Sequence, residues 1–298
     1  MMADQEDNFT RLADASFTII GLGLMGGSLG LALKERGIGR RVWGVNRRQT
    51  VIDRAVELGA IDGGTTDAIA GVADADIVVL ATPVRAIIDL LQQIGPHLKA
   101  GCLVMDLGST KSDIVQAMTC LPAGAEPVGG HPMCGKEVAG IWAAEASLYE
   151  GAIFPLTPLE RTSPVALALA ERLVESIGAT PVVIDASRHD RLVAAISHLP
   201  YLTAVMLVAA AAEVAEEDAL AWPLAASGFR DTSRLAASDV TMMHDILVTN
   251  REHVGEMLHR YRRHLERLIA LVENGHEDGL RETLEQAWQD RYSVISDQ

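Results

Sequence analysis

The chain has 298 residues, 49% of them hydrophobic and 22% charged, with a formal net charge of −15. That length exceeds what one ordinary core holds, so two domains are expected, and the composition is that of a folded chain rather than a disordered one. The acidity argues against nucleic acid as a partner, because the summed field repels a phosphate backbone.

Residues 1–15 are polar and acidic, lack a basic-then-apolar signal pattern and are expected to form a disordered lead-in. Short apolar runs then alternate with amphipathic segments. Strands are predicted at Phe17–Gly21, Arg41–Val45, Asp76–Ala81, Cys102–Leu107, Glu126–Gly129, Phe154–Thr157 and Pro181–Ile184. Helices are predicted at Met25–Arg36, Thr50–Leu58, Val84–Ile94, Thr110–Thr119 and Pro164–Ile177. Strands alternating with helices imply an α/β Rossmann domain over 16–186, with a doubly wound, mostly parallel sheet.

From about Ser187 no strand is predicted, and Ala/Leu-rich helical segments run to about Tyr292. Residues 187–298 are therefore expected to form an all-α domain. Leu192–Ala212 is nearly long enough to span a membrane, but Ser197, His198 and Pro200 interrupt it. It is read as a buried helix, with no membrane partner. The apolarity of this half exceeds what one small bundle needs, so part of it is expected to bury in a homodimer. Three cysteines (Cys102, Cys120 and Cys134) lack framework spacing, which suggests reduced thiols in a cytoplasmic protein.

Gly21, Gly23, Leu24, Met25 and Gly26 follow the first strand and open the first helix. A GxGxxG pattern in strand–turn–helix context is a dinucleotide-binding turn, in which the helix N-terminus faces the pyrophosphate. About twenty positions on, a carboxylate would select the ribose hydroxyl of NAD. The chain carries Asn46, Arg47 and Arg48 instead, and two guanidinium groups suit a 2′-phosphate. NADP is favoured over NAD; the alternative is that Arg47 and Arg48 are merely solvated loop residues, in which case NAD could still bind.

Ligands of an open α/β sheet bind beyond the carboxyl ends of its strands. Those ends deliver the glycine turn, then Thr82 and Pro83, then Gly108-Ser109-Thr110-Lys111, and then Gly130-His131-Pro132. A hydroxyl and an imidazole thus converge where the nicotinamide would lie. Hydride transfer from an alcohol carbon needs an acceptor for the hydroxyl proton, and histidine suits that role. A metal site is not expected, since His131 and Cys134 lack further ligands at sensible spacing.

Gly130-His131-Pro132-Met133-Cys134-Gly135-Lys136-Glu137 resembles the HPMxGxE motif of prephenate and arogenate dehydrogenases. Gly108-Ser109-Thr110-Lys111, Ser197-His198-Leu199-Pro200 and Gly228-Phe229-Arg230-Asp231-Thr232-Ser233-Arg234 agree with that family in order and spacing. The resemblance covers roughly residues 17 to 290. It implies NAD(P)-dependent oxidative decarboxylation of a cyclohexadienol in tyrosine biosynthesis, with a C-terminal dimerisation domain. By resemblance, His131 accepts the ring hydroxyl's proton, Ser109 holds that hydroxyl and Arg234 binds a substrate carboxylate. Arg230, Ser197, His198 and Tyr201 complete the substrate side.

Each role has a plainer alternative. Ser109 could cap the next helix, Arg234 could pair with Asp231 or Asp239, and Ser197 and His198 could be core polar groups. Where many prephenate-using members have a second histidine, this chain has Tyr201. With the Asn-Arg-Arg loop, that resembles arogenate/NADP members more than prephenate/NAD members. No regulatory or mutase domain is expected. The other readings are a related two-domain hydroxyacid dehydrogenase or imine reductase, and a non-catalytic NADP-sensing dimer.

Overall fold

The computed structural model describes residues 12–136 and 138–296. Eight strands form one sheet in the order β3-β2-β1-β4-β5-β6-β7-β8. They are β1 (Ser16–Ile20), β2 (Arg41–Val45), β3 (Gly63–Thr65), β4 (Ile77–Leu80), β5 (Leu103–Asp106), β6 (Glu126–Gly130), β7 (Ile153–Pro158) and β8 (Thr180–Val183). Strand alternation divides the core between the two sheet faces. Phe17, Ile19, Ile77, Val79, Leu103 and Met105 join one apolar cluster. Ile20, Val78, Leu80 and Val104 join the other.

Helices cover both faces: α1 (Leu24–Glu35), α2 (Gln49–Glu57), α3 (Ala68–Val72), α4 (Val84–Ile94), α5 (Ser112–Met118) and α6 (Pro164–Ser176). β1 pairs in parallel with β2 on one side and β4 on the other, so the strand order reverses at β1. β4, β5 and β6 continue in parallel, and their carboxyl ends share one rim with that of β1. β7 runs antiparallel to β6 and β8 runs parallel to β7, which makes the sheet mostly parallel. β3 and α3 are additions to the predicted elements. β3 is Gly-Gly-Thr, too short and glycine-rich for a periodic signal.

The lead-in expectation needs correcting at its end. Residues 12–14 are helical, and Leu12 (2% exposed) and Ala15 join the core around Phe17. The polar background of this segment masks one anchoring leucine. Residues 1–11 lie outside the described residues.

After β8 the chain is helical: α7 (Ala186–Val193), a π-helical turn (Ala194–His198), α8 (Leu199–Glu217), α9 (Ser227–Ser233), a 3₁₀ turn (Arg234–Ala237) and α10 (Val240–Thr249). α7 packs on α5, and α10 on α4. Compactness therefore groups Met1–Asn250 as one unit and Arg251–Gln298 as another. In the second unit α11 (Arg251–Glu273) and α12 (Glu277–Ser296) pack together across a turn at Gly275, whose φ is +62°.

The expectation of a buried helix over Leu192–Ala212 is also corrected. Of α8 only Ala204 is buried within the chain. Ala186–Glu217 is long and apolar enough to cross a membrane, and 22% of its most apolar window is buried. The sequence records that this surface avoids water, but not what covers it.

Candidate active site

The shared strand rim assembles the site. Gly21 leaves β1 with φ +99°, a conformation glycine adopts without strain. A Cβ there would stand 2.5 Å from the Ala81 carbonyl, so the turn and the end of β4 meet without room for a side chain. Around Gly23, which caps α1, a Cβ would meet nothing within 4 Å. The first turn of α1 has no side-chain cap and no acidic residue. This is an open backbone approach with helix N–H groups facing it, the requirement of a pyrophosphate. Leu24 and Met25 are partly buried, and the Met25 carbonyl accepts a hydrogen bond from the Tyr149 hydroxyl at 2.7 Å. Thr82, after β4, has a buried Oγ1 with no partner among the described residues, and Pro83 beside it is exposed. A buried hydroxyl with unused hydrogen-bonding capacity on this rim fits a polar cofactor group. At the end of β2 Asn46 Oδ1 accepts from the Arg48 N–H at 3.1 Å, and the side chains of Arg47 and Arg48 are exposed.

Beyond β5 and β6 lies a buried polar network. Asp106, the last residue of β5, accepts from the Gly108 N–H at 2.7 Å and from the Gly130 N–H at 3.0 Å. It also pairs with Lys111, and both side chains are fully buried. The Lys111 ammonium donates in addition to the Gly130 carbonyl at 2.6 Å. Both polar groups of Gly130, the residue before His131, are thereby held. Burial pushes the Asp106 carboxyl up and the Lys111 ammonium down, and each is opposed by the other's charge.

His131 is partly buried. Its N–H donates to the Pro155 carbonyl at 3.0 Å, and its Nδ1 lies 2.8 Å from His189 Nε2. His189 Nδ1 lies 2.9 Å from Asp190 Oδ1. Asp190 also accepts from the Lys111 N–H at 2.7 Å and the Ser112 N–H at 2.8 Å. Burial would raise the Asp190 carboxyl, but hydrogen bonds from His189, Ser112 and Lys111 outweigh it and hold it below the usual range. Burial holds His131 well below the ordinary imidazole range, and a positive charge there would also be opposed by any positive charge carried by His189, Lys111 and His198. Burial thus disfavours the charged form of His131, its Nδ1 is engaged, and among the described residues its Nε2 has no hydrogen-bonding partner.

Ser109 is partly buried beside Thr110, whose hydroxyl lies 2.8 Å from that of Thr249. Ser109 does not cap α5, which begins at Ser112 after Lys111 with no side-chain cap. His198 is 1% exposed at the end of the π-helical turn, a distortion frequent at functional sites. Its Nδ1 lies 3.2 Å from Asn250 Nδ2, which also donates to the Asp190 carbonyl at 2.7 Å. His198 thus belongs to the same network as His131. Ser197 is exposed, and Tyr201 is partly buried in the first turn of α8. Arg230 and Arg234 are exposed, on α9 and on the 3₁₀ turn that packs against α8. The expected Glu137 lies outside the described residues.

Burial lowers His198 to about 4. An unfolded histidine takes its proton near the usual ~6.5. The unfolded chain therefore binds more protons between those values, and stability falls as pH drops from about 6.5 towards 4. The loss from His198 is on the order of 3 kcal/mol, and His131 acts in the same direction. Urea midpoints at pH 7, 6 and 5 should fall progressively; a flat series would contradict the buried neutral histidines.

His189, Asp190, Asn250 and Asp106 are the residues missed from sequence. One signal was available: an aspartate inside an otherwise apolar parallel strand needs a buried partner. His189-Asp190 carries no spacing signal, because its partners come from other elements.

A glycine turn at the switch point of a Rossmann sheet, with a neutral imidazole farther along the same rim, defines a dinucleotide-dependent dehydrogenase. Residues 29–183 match the family model "Prephenate dehydrogenase, nucleotide-binding domain", and residues 185–286 match "Prephenate dehydrogenase, dimerization domain". The chain belongs to the prephenate dehydrogenase family, and it is an NAD(P)-dependent enzyme. Prephenate dehydrogenase of Lactococcus lactis is 35% identical over 85% of this chain and 70% of its own. Synechocystis arogenate dehydrogenase superposes with TM-score 0.81 at 34% identity, over 94% of this chain and 99% of that one. Prephenate dehydrogenase from A. aeolicus, solved with hydroxyphenyl propionate and NAD+, gives TM-score 0.87 at 32% identity, over 94% and 98%.

Proposed function

We propose that this chain catalyses NADP-dependent oxidative decarboxylation of arogenate, or of prephenate, in tyrosine biosynthesis. The observation that carries the reading is the neutral His131 imidazole, clamped through Gly130 at the rim that also bears the glycine turn. The bound nicotinamide supplies the hydride acceptor. Gly21, Gly23, Leu24, Met25 and Gly26 form the pyrophosphate turn, and Thr82 and Pro83 line the rim beside it. His131 Nε2 accepts the proton of the ring hydroxyl, while Ser109 holds that hydroxyl. Arg234 and Arg230 bind substrate carboxylate, with Ser197, His198 and Tyr201 on the same side. Loss of carbon dioxide leaves an aromatic ring, so the protein mainly positions and polarises.

NADP is supported by the cofactor loop. Arg47 and Arg48 stand at the N-terminus of α2, whose first turn carries no acidic residue. Replacing both arginines with alanine should raise KM for NADP by roughly tenfold or more and leave KM for NAD little changed. Equal effects on both cofactors would remove these residues from phosphate recognition. A family model for a dimerisation domain and the exposed apolar surface of α8 support a homodimer through the helical half.

Spectrophotometric assays of arogenate and prephenate, each with NADP and with NAD, test the reading. Turnover is expected to be fastest with arogenate and NADP. No turnover in any of the four combinations would remove the assignment.

A further inference from the structure

His131 does not stand alone. Asp190 is an ionised acceptor, so the hydrogen between it and His189 Nδ1 belongs to the histidine. A neutral His189 then offers a lone pair at Nε2, so the hydrogen in the 2.8 Å contact belongs to His131 Nδ1. His131 Nε2 is left as the lone pair that meets substrate. This chain of donors fixes one tautomer of the base.

We propose that His189, backed by Asp190, is a positioning residue that fixes His131 as the Nδ1–H tautomer and takes over the substrate's proton, which comes to rest on His189 Nε2. The inference rests on the reading of His131 as the base. In the step, the substrate O–H bond breaks and a His131 Nε2–H bond forms. The His131 Nδ1–H bond breaks and a His189 Nε2–H bond forms. The O–H electron pair becomes the carbonyl bond, and the hydride of the same carbon goes to the oxidised nicotinamide dinucleotide that the family uses. His131 ends neutral and His189 ends as an imidazolium against a carboxylate.

The surroundings favour that resting place. The charged and titratable groups acting on His131, besides His189, are Lys111 from the β5–α5 loop, Asp190 from α7 and His198 from the π-helical turn, and Asp190 and His198 also neighbour His189. The buried Lys111 ammonium opposes a positive charge on His131, whereas His189 lies directly against Asp190. Asp190 itself does not take the proton, because the Lys111 and Ser112 N–H groups both donate to it and stabilise the carboxylate.

The test has two readouts. Nitrogen-15 spectra of histidine-labelled wild-type enzyme at neutral pH, with His131 assigned by its absence from H131A, should show His131 protonated at Nδ1. Protonation at Nε2 instead would overturn the proposal, and this readout requires neither turnover nor a folded His189 variant. His189→Gln preserves a polar contact but cannot hold an extra proton. It should lower kcat by roughly 10–10²-fold, leave KM nearly unchanged and displace the acidic limb of the pH profile. Wild-type kcat with an unaltered pH profile in H189Q would also overturn the proposal. Full activity in H131A would instead sink the base assignment, so the two failures are distinguishable.

Discussion

His131→Ala should lower turnover by about 10²–10⁴-fold while binding of the nicotinamide dinucleotide persists. The separation follows from where the two functions sit. In the proposed reading the dinucleotide is held by the turn after β1 and by the rim beyond β4, neither of which relies on the imidazole. The proposed proton acceptor, His131, directly follows β6, whose last residue is clamped by Asp106 and Lys111. Truncation removes the imidazole lone pair from that position, and His189 stands behind it, on the Nδ1 side of the ring. Turnover under saturating substrate, with cofactor affinity from fluorescence titration, checks the prediction. Unchanged kcat, or parallel loss of cofactor affinity, would contradict it. Because burial and nearby positive charge hold His131 below the ordinary histidine range, the wild-type acidic limb should lie below pH ~6.5.

Lys111→Met should destabilise the fold by about 3–5 kcal/mol, the usual result of stranding one partner of a buried ion pair. Asp106 would remain inside the sheet with its carboxylate unneutralised, supported only by the Gly108 and Gly130 N–H groups. The Gly130 carbonyl would lose its donor as well. Chemical denaturation of K111M against wild type measures the cost. Asp106→Asn in the same background removes the stranded charge and should recover part of it. A double variant no more stable than K111M would mean that the loss comes from packing rather than charge. Activity should fall with stability, since the same clamp sets the position of His131.

Local patterns in the sequence were sufficient for much of this. The predicted strands and the principal helices of the sheet half lie within a residue or two of their observed ends, because apolar period and glycine turns act over a few residues. The placement of His131 and Ser109 just beyond β6 and β5 was legible for a related reason. In a parallel sheet the residue after each strand is delivered to one rim, so strand order along the chain translates into placement. The short β3 was not legible, since Gly-Gly-Thr has no pattern of its own and pairs only because Trp43–Val45 lies beside it. Nor was Leu12, whose burial depends on a pocket built by later elements.

By itself the sequence determined the alternation of strand and helix, the dinucleotide turn and the residues that reach the sheet rim. These are local consequences of side-chain periodicity and backbone freedom. The tertiary structure decided which polar groups meet in the interior: Lys111 with Asp106, and His131 with His189, Asp190, Asn250 and His198. Hydrogen-bonded partners in this network include His131 and His189, 58 residues apart, and Lys111 and Asp190, 79 apart, and no spacing rule connects them. They come together because a buried charge or imidazole is tolerated only where another element supplies its hydrogen-bonding partner.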